Sequence, residues 1–354
     1  MTREEMQKAI RRRRPISDLH VTSALQGLDL KQAVFQRVHF APGVLSNTAL
    51  NEAFFHECQF ELLDARDVTL EKATFSSCQL HGADFGGARL LGTHFSACGL
   101  QRARFARASL RQCTLLQCDL GEACFADLQG EKLALQECSA AGASFERARI
   151  ENGAWLGTDF ARVALAGAHL QQVVLAKSRF ADQCLAGLTL LSCPLVDSDL
   201  ERVDFTRATL KESSFARSRL KSCDFRQVSG QHLGLSEASL LDCRFDEANL
   251  SGAIFEKARL LRTRFSGAQL EKAWFVQARL QECDFTGAQL RFGNFSHARL
   301  ERCQFRGADL ARATLHATQA SEGTWAGADL AATRGTDQEL ARAEERTMNY
   351  EAQL

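Results

Sequence analysis

The sequence is poor in several things that most proteins use freely. It has one Tyr and three Pro in 354 residues, and its 43 Lys+Arg balance 43 Asp+Glu to a formal net charge of zero. No uncharged apolar run approaches the ~18 residues of a transmembrane helix, so membrane insertion is not expected. Zero net charge removes the simplest electrostatic argument for a nucleic-acid partner, and none is expected. The opening stretch from Met1 to Arg14 has no apolar core, so no secretory signal is predicted there. Motifs that carry chemistry are missing as well. The nine His are scattered without an HExxH, no CxxC pair occurs, and there is no phosphate-binding or nucleophile-elbow glycine motif. The expectation is a protein that is not an enzyme and holds no cofactor and no metal.

What the chain has instead is a repeat. At every fifth position from Leu25 to Leu330, 57 of 62 are Leu, Phe, Ile or Trp, and the register never slips. The exceptions are Ala65, Gly130, Ala140, Gly230 and Ala320. Two residues before each of these positions stands a small one: 55 of 62 are Ala, Cys, Val, Ser, Thr or Gly. A helix of period 3.6 would carry residues five apart around its surface, and a plain strand repeats its inward side every two. The unit small–x–large–x–x therefore reads as a short strand with two inward residues, followed by a two-residue turn. Ala83-Asp84-Phe85-Gly86-Gly87 and Ala308-Asp309-Leu310-Ala311-Arg312 are examples. Cysteine shows a longer period, that of four such units. Cys58, Cys78, Cys98, Cys118 and Cys138 recur at this interval, as do Cys223, Cys243, Cys283 and Cys303 with Thr263 in the gap.

These units resemble the pentapeptide-repeat proteins, whose consensus is A-(D/N)-L-x-x. The resemblance implies an all-β fold, a right-handed quadrilateral β-helix in which four pentapeptides make one square coil. About 15 coils at ~4.8 Å spacing predict a solenoid of roughly 70–75 Å, with short terminal helices. The expected organisation is residues 1–20 as a basic helix and lead-in, 21–335 as the β-helix, and 336–354 as a capping or dimerisation helix. Thr2 to Glu5 and Thr336 to Glu339 both read as capping boxes, with Pro15 stopping the first helix. The head 1–14 carries +4 and the tail 336–354 carries −3, so neutrality conceals two oppositely charged ends.

Eleven of the 13 Cys fall in the inward small-residue column, where a thiol packs as a small apolar group; this usage fits a reducing, bacterial cytoplasm. Secretion without a cleaved signal stays open. Ala65 is offset by Leu63, an exchange of sizes between adjacent inward sites. Gly130 and Gly230 are followed by Leu133 and Leu135, and by Leu233 and Leu235. They read as local bulges, a binding notch being the alternative.

Function must then lie on the outward residues or the ends. Arg259, Arg279 and Arg299 recur once per coil and should form a ladder, read either as a solvated, locally paired row or as a groove for an acidic protein segment. Arg219 shares that column, and Arg244 and Arg264 form a shorter ladder. Leu241 and Leu261 stack in another column. Trp274, Val276 and Phe292 fall near one corner, either as an interface anchor or as rings lying flat over it. The expected function is a protein-binding scaffold or adaptor with a protein partner, in plan similar to pentapeptide-repeat proteins associated with type VI secretion. The alternatives are a DNA-mimic modulator of DNA gyrase and a translocated effector without enzymatic activity. A homodimer through the C-terminal end is a further expectation, because the family often dimerises there.

Overall fold

The structure is a computed structural model. It describes residues 2–66 and 68–351, with side chains through Glu344; Met1 and the last three residues of the expected 336–354 segment lie outside the described residues. The small–x–large units form two- and three-residue strands or single bridges, which pair in parallel with the corresponding unit of the next coil. Thus Phe55 faces Phe75 and Leu260 faces Leu280. The chain is a parallel β-solenoid of about 15 turns with two short helices. It divides into two compact units, Met1–Gln183 with Leu188–Pro194, and Cys184–Gly187 with Leu195–Leu354.

The corners explain the two outward x positions. Their second residue, at numbers ending in 2 or 7, is left-handed almost throughout, as at Glu52 (φ 60°), Arg262 (φ 49°) and Lys272 (φ 59°). For a non-glycine residue this conformation costs roughly 1–2 kcal/mol. The geometry offsets it by aiming the N–H along the stack. Arg262 N–H donates to the Gln281 carbonyl at 2.9 Å, and Lys272 N–H to that of Arg291 at 2.9 Å. Most corners thereby add a rung to the hydrogen-bond ladder.

The core is a stack of inward columns. In the second unit Phe245, Phe265, Phe285 and Phe305 lie ring on ring at 5.1, 4.8 and 4.9 Å. A neighbouring column of Phe255, Phe275 and Phe295 stacks at 4.6 and 4.8 Å and meets the first edge-on, with Phe265 and Phe275 at 89°. The first unit is built alike, with Phe85, Phe105, Phe125 and Phe145 at 4.8, 4.8 and 4.5 Å. All thirteen cysteines are free, and the eleven in the small column are buried. Their thiols donate to carbonyls, as Cys98 does to Phe75 and Ser96 at 3.4 Å. Burial pushes the Cys113 and Cys193 thiols up to about 11, which keeps them protonated and unreactive.

Three details depart from the repeat arithmetic. The first pairings join Ile16 to Phe35 and His20 to His39, so strand pairing begins inside the expected 1–20 lead-in with a coil one residue short. Gly130 and Gly230 are not bulges. Gly130 stays in register between Leu110 and Ile150. A Cβ added there would lie 3.4 Å from Ile150 and 3.5 Å from Leu133, and one at Gly230 3.2 Å from Leu250 and Val228 and 3.6 Å from Leu233. The large residue in the small column reaches into the space the glycine leaves, which is the same size exchange as Leu63 for Ala65. Both helices are also shorter than their segments. The first is Arg3–Arg11, with the Thr2–Glu5 capping box formed, and it ends before Pro15 because Arg13 is left-handed (φ 52°). The second is Gln338–Glu351. Its cap is Asp337, which accepts from the N–H of Glu339 and Leu340 at 3.0 Å, while Thr336 accepts from Ala317 at 3.2 Å.

Candidate functional site

On one face of the second unit, strands Arg219–Lys221, Ser239–Leu241, Arg259–Leu261, Arg279–Gln281 and Arg299–Glu301 stack in register. Each buries its middle leucine and projects the residues on either side outward. The register makes two parallel outward columns: Arg259, Arg279 and Arg299 in one, and Leu241, Leu261, Gln281 and Glu301 in the other. The arginine and leucine candidates, assigned to separate columns of the sequence, therefore border one shallow concavity of about 490 Å³. The arginines are exposed and the two leucines half-buried.

The lower rungs of this face neutralise themselves. Arg219 holds Asp199 with two hydrogen bonds at 2.5 and 2.8 Å, and Lys221 holds Glu201 at 3.0 Å. The upper rungs do not. Among the described residues Arg259, Arg279 and Arg299 make no ion pair, because the residue one coil below Arg259 is Ser239 and each arginine above it stacks on another. At the adjoining corner the arginines are paired: Arg262 sits on Asp242 at 2.7 Å, and that hydrogen bond holds the Asp242 carboxyl below its ordinary value. The face offers guanidinium and alkyl groups. These bind anions and apolar surface, and they supply neither a base nor a nucleophile.

The shorter ladder has the opposite character. Arg244 and Arg264 both approach Asp246 at 3.4 Å, and Arg226 pairs with Asp224 at 2.6 Å around a second concavity of about 450 Å³. Burial alone would raise Asp224, but the hydrogen bonds from Arg226 outweigh it and hold its pKa down. Each of these arginines has a carboxylate partner, Asp246 serving two of them.

The concavity that Trp274 lines includes neither Val276 nor Phe292. Trp274 is 51% exposed and lines a concavity of about 580 Å³ with Ile254, itself 39% exposed and one coil below. Val276 is half-buried on the other side of Phe275, outside that concavity. Phe292 occupies a left-handed corner (φ 58°), where the guanidinium of Arg312 lies 5.6 Å from its ring centre. That cation–π contact lies over one side of the ring, and Phe292 stays 39% exposed.

One cluster escaped the sequence reading. His297 and His316, on neighbouring coils, approach Glu344 of the C-terminal helix at 3.3 and 3.1 Å. Among the described residues this is the set with three ligand atoms close enough to hold a metal ion. The hydrogen bonds argue for another role. His316 Nδ1 accepts from the Asp337 N–H at 3.1 Å, which places the ring proton on Nε2, where it donates to Glu344 instead of offering a lone pair. The cluster clamps the helix to the last coils. Beyond the clamp the final coil is uncovered: Ala320 is exposed, Leu330 is 43% exposed, and Trp325 is half-buried on Phe305 at 4.2 Å.

A family model described as "Pentapeptide repeat region" matches residues 68–145, 198–275 and 238–315, together more than half of the chain. The search of curated proteins found no match. Among solved structures, a pentapeptide repeat protein of the Arabidopsis thaliana thylakoid lumen is 23% identical over 28% of this chain and 69% of its own, with a TM-score of 0.22. Full-length QnrB1, a plasmid-mediated fluoroquinolone resistance protein, is 18% identical over 62% of this chain and 99% of its own, with a TM-score of 0.23. HetL, involved in heterocyst differentiation regulation in the cyanobacterium Nostoc sp. strain PCC 7120, is 20% identical over 78% of this chain and 89% of its own, with a TM-score of 0.20.

Proposed function

The chain belongs to the pentapeptide-repeat family, and from that premise we propose that it is a non-enzymatic protein-binding scaffold or adaptor. The observation that carries the reading is the set of three stacked arginines, without carboxylate partners among the described residues, beside the Leu241–Leu261 shelf. Like charges held one strand apart repel, so a fold under selection for stability alone would intersperse acids, as it does at Asp199–Arg219 and Asp242–Arg262. A partner that supplies the missing anions accounts for the arrangement. The test is affinity capture from the native host with the wild type and with Arg279→Glu. A specific protein retained by the first and lost by the second supports the reading; identical captures sink it.

The finer assignment we propose is a cytoplasmic accessory of bacterial type VI secretion, and it rests on similarity of plan alone. A deletion strain with unaltered secretion removes it, and appearance of a tagged protein outside the producing cell would turn the assignment to a translocated effector. No observation favours DNA mimicry, since Asp224, Asp242 and Asp246 face arginines. A gyrase supercoiling assay that shows inhibition would reverse that ordering. We further propose that the open final coil, with Leu330 and Trp325, is covered by a second copy. Light scattering on the protein and on Leu330→Asp distinguishes a dimer through this end from a monomer.

A further inference from the structure

We propose that the Arg259–Arg279–Arg299 ladder and the Leu241–Leu261 shelf form a docking groove for an acidic amphipathic α-helix of a partner protein, lying along the stacking direction of the coils. The inference rests on the protein-binding reading above and names the occupant.

The spacing of the rungs selects the helix. Neighbouring strands lie about 4.8 Å apart, so the first and third arginines are about 9.6 Å apart along the stack. Carboxylates at i, i+3 or i+4, and i+7 of an α-helix span about 10.5 Å at 1.5 Å per residue. One acid then meets each guanidinium with a mismatch of about 1 Å over the whole ladder, which a long, exposed arginine absorbs. An extended segment fits worse. Its same-side residues recur at roughly 6.6–6.8 Å, so three of them overrun the ladder by nearly 4 Å and the third acid misses its rung.

The second column selects an amphipathic helix over a merely acidic one. Arg259 and Leu261 flank the same buried Leu260, so the charged and apolar columns run side by side about 6.6–6.8 Å apart. A helix about 10 Å across reaches both, presenting an acidic stripe to one and an apolar stripe to the other. The shelf has a direction: Leu241 and Leu261 give way to Gln281 and then Glu301, which already pairs with Arg302 at 2.7 Å. The apolar residues of the occupant therefore belong at the Leu241 end. A nucleic-acid strand would match the arginines but has no apolar side chain for the leucines. Within this chain the acidic C-terminal helix already commits Glu344 to His297 and His316.

The experiment uses the full-length protein and two fluorescent peptides of identical composition. One places Glu at i, i+3 and i+7 with Leu on the adjacent stripe of an Ala-rich helix; the other sets the same Glu residues in strict alternation. Fluorescence anisotropy should show the helical pattern binding at least about tenfold more tightly, with strong salt dependence. Arg279→Glu and Leu261→Asp should each weaken it about tenfold or more, while Arg219→Glu, on a rung already paired, leaves it unchanged. Arg279→Gln serves if the charge reversal disturbs folding, which circular dichroism reports. Equal affinity for the two peptides, preference for the alternating one, indifference to Arg279→Glu, or stronger binding of a single-stranded oligonucleotide at this ladder overturns the inference.

A photo-cross-linking residue at Gln281 separates this failure from failure of the scaffold reading. An acidic helical segment of another protein cross-linked there supports the inference. A non-helical segment, or a second copy of this chain, overturns it and leaves protein binding standing. No cross-linked protein, with neither peptide bound, removes both.

Discussion

Arg279→Gln should make the protein more stable, and the gain should vanish in salt. Arg279 sits between Arg259 and Arg299 on adjacent strands, and among the described residues none of the three has an ion-pair partner. Two unit charges 5–7 Å apart in water repel by about 0.6–0.8 kcal/mol, so the middle arginine carries about 1.2–1.7 kcal/mol from its two neighbours. Screening with a Debye length of ~30 Å at 0.01 M leaves most of this, whereas ~3 Å at 1 M removes about four-fifths to nine-tenths. The expected gain is therefore about 1 kcal/mol at low salt and about 0.1–0.3 kcal/mol at 1 M. Urea is the denaturant to use, because guanidinium would itself screen the ladder, and the midpoints are compared at both salt concentrations. Arg219→Gln is the control: it removes a bonded partner of Asp199 and should give no gain. A loss of stability for Arg279→Gln, or a gain as large in 1 M salt as at low salt, would refute the claim that the ladder is kept unpaired at a cost to the fold.

Three other perturbations test different parts of the structure. Phe265→Ala removes a ring stacked on Phe245 and Phe285 and edge-on to Phe255 and Phe275, and should cost about 3–5 kcal/mol, with lost hydrogen-exchange protection confined to neighbouring coils. Titration of native thiols should show Cys184 reacting first and Cys124 more slowly, with the other eleven reacting only on unfolding; a third native thiol would contradict the buried column. The hydrogen bond from His316, aided by the charge of His297, holds Glu344 below its ordinary 4.5. A depressed carboxyl stabilises fully above its unfolded pKa and ceases to as pH falls through its folded one, so protection of the Gln338–Glu351 amides should drop below about pH 4.5. In Glu344→Ala it should already be low at neutral pH, although Ala is the better helix former.

The fold was legible because size alone encodes it. Leu and Phe at every fifth position, with Ala or Cys two before, can be buried together only if the chain turns after each short strand. The regular recurrence of cysteine at every fourth unit then sets the coil. The faults at Gly130 and Gly230 were visible, but their resolution depended on how far Leu133 and Leu233 reach into the vacated space. The shortened first coil lay upstream of the regular register at Leu25. The His297–His316–Glu344 clamp joins the solenoid to a helix outside the repeat, so no spacing announced it.

The candidate site divides in the same way. Column membership of Arg259, Arg279 and Arg299 follows from numbering. The meeting of the arginine and leucine columns on one face and the shared hold of Arg244 and Arg264 on Asp246 do not follow from it. The sequence by itself determined which residues point inward and the length of a coil, because burial sorts side chains by size along a periodic backbone. Only the tertiary structure decided which outward charges find partners. That depends on distances across faces and around left-handed corners, where a shift of a few ångströms separates a neutralised row from a ladder of free cations.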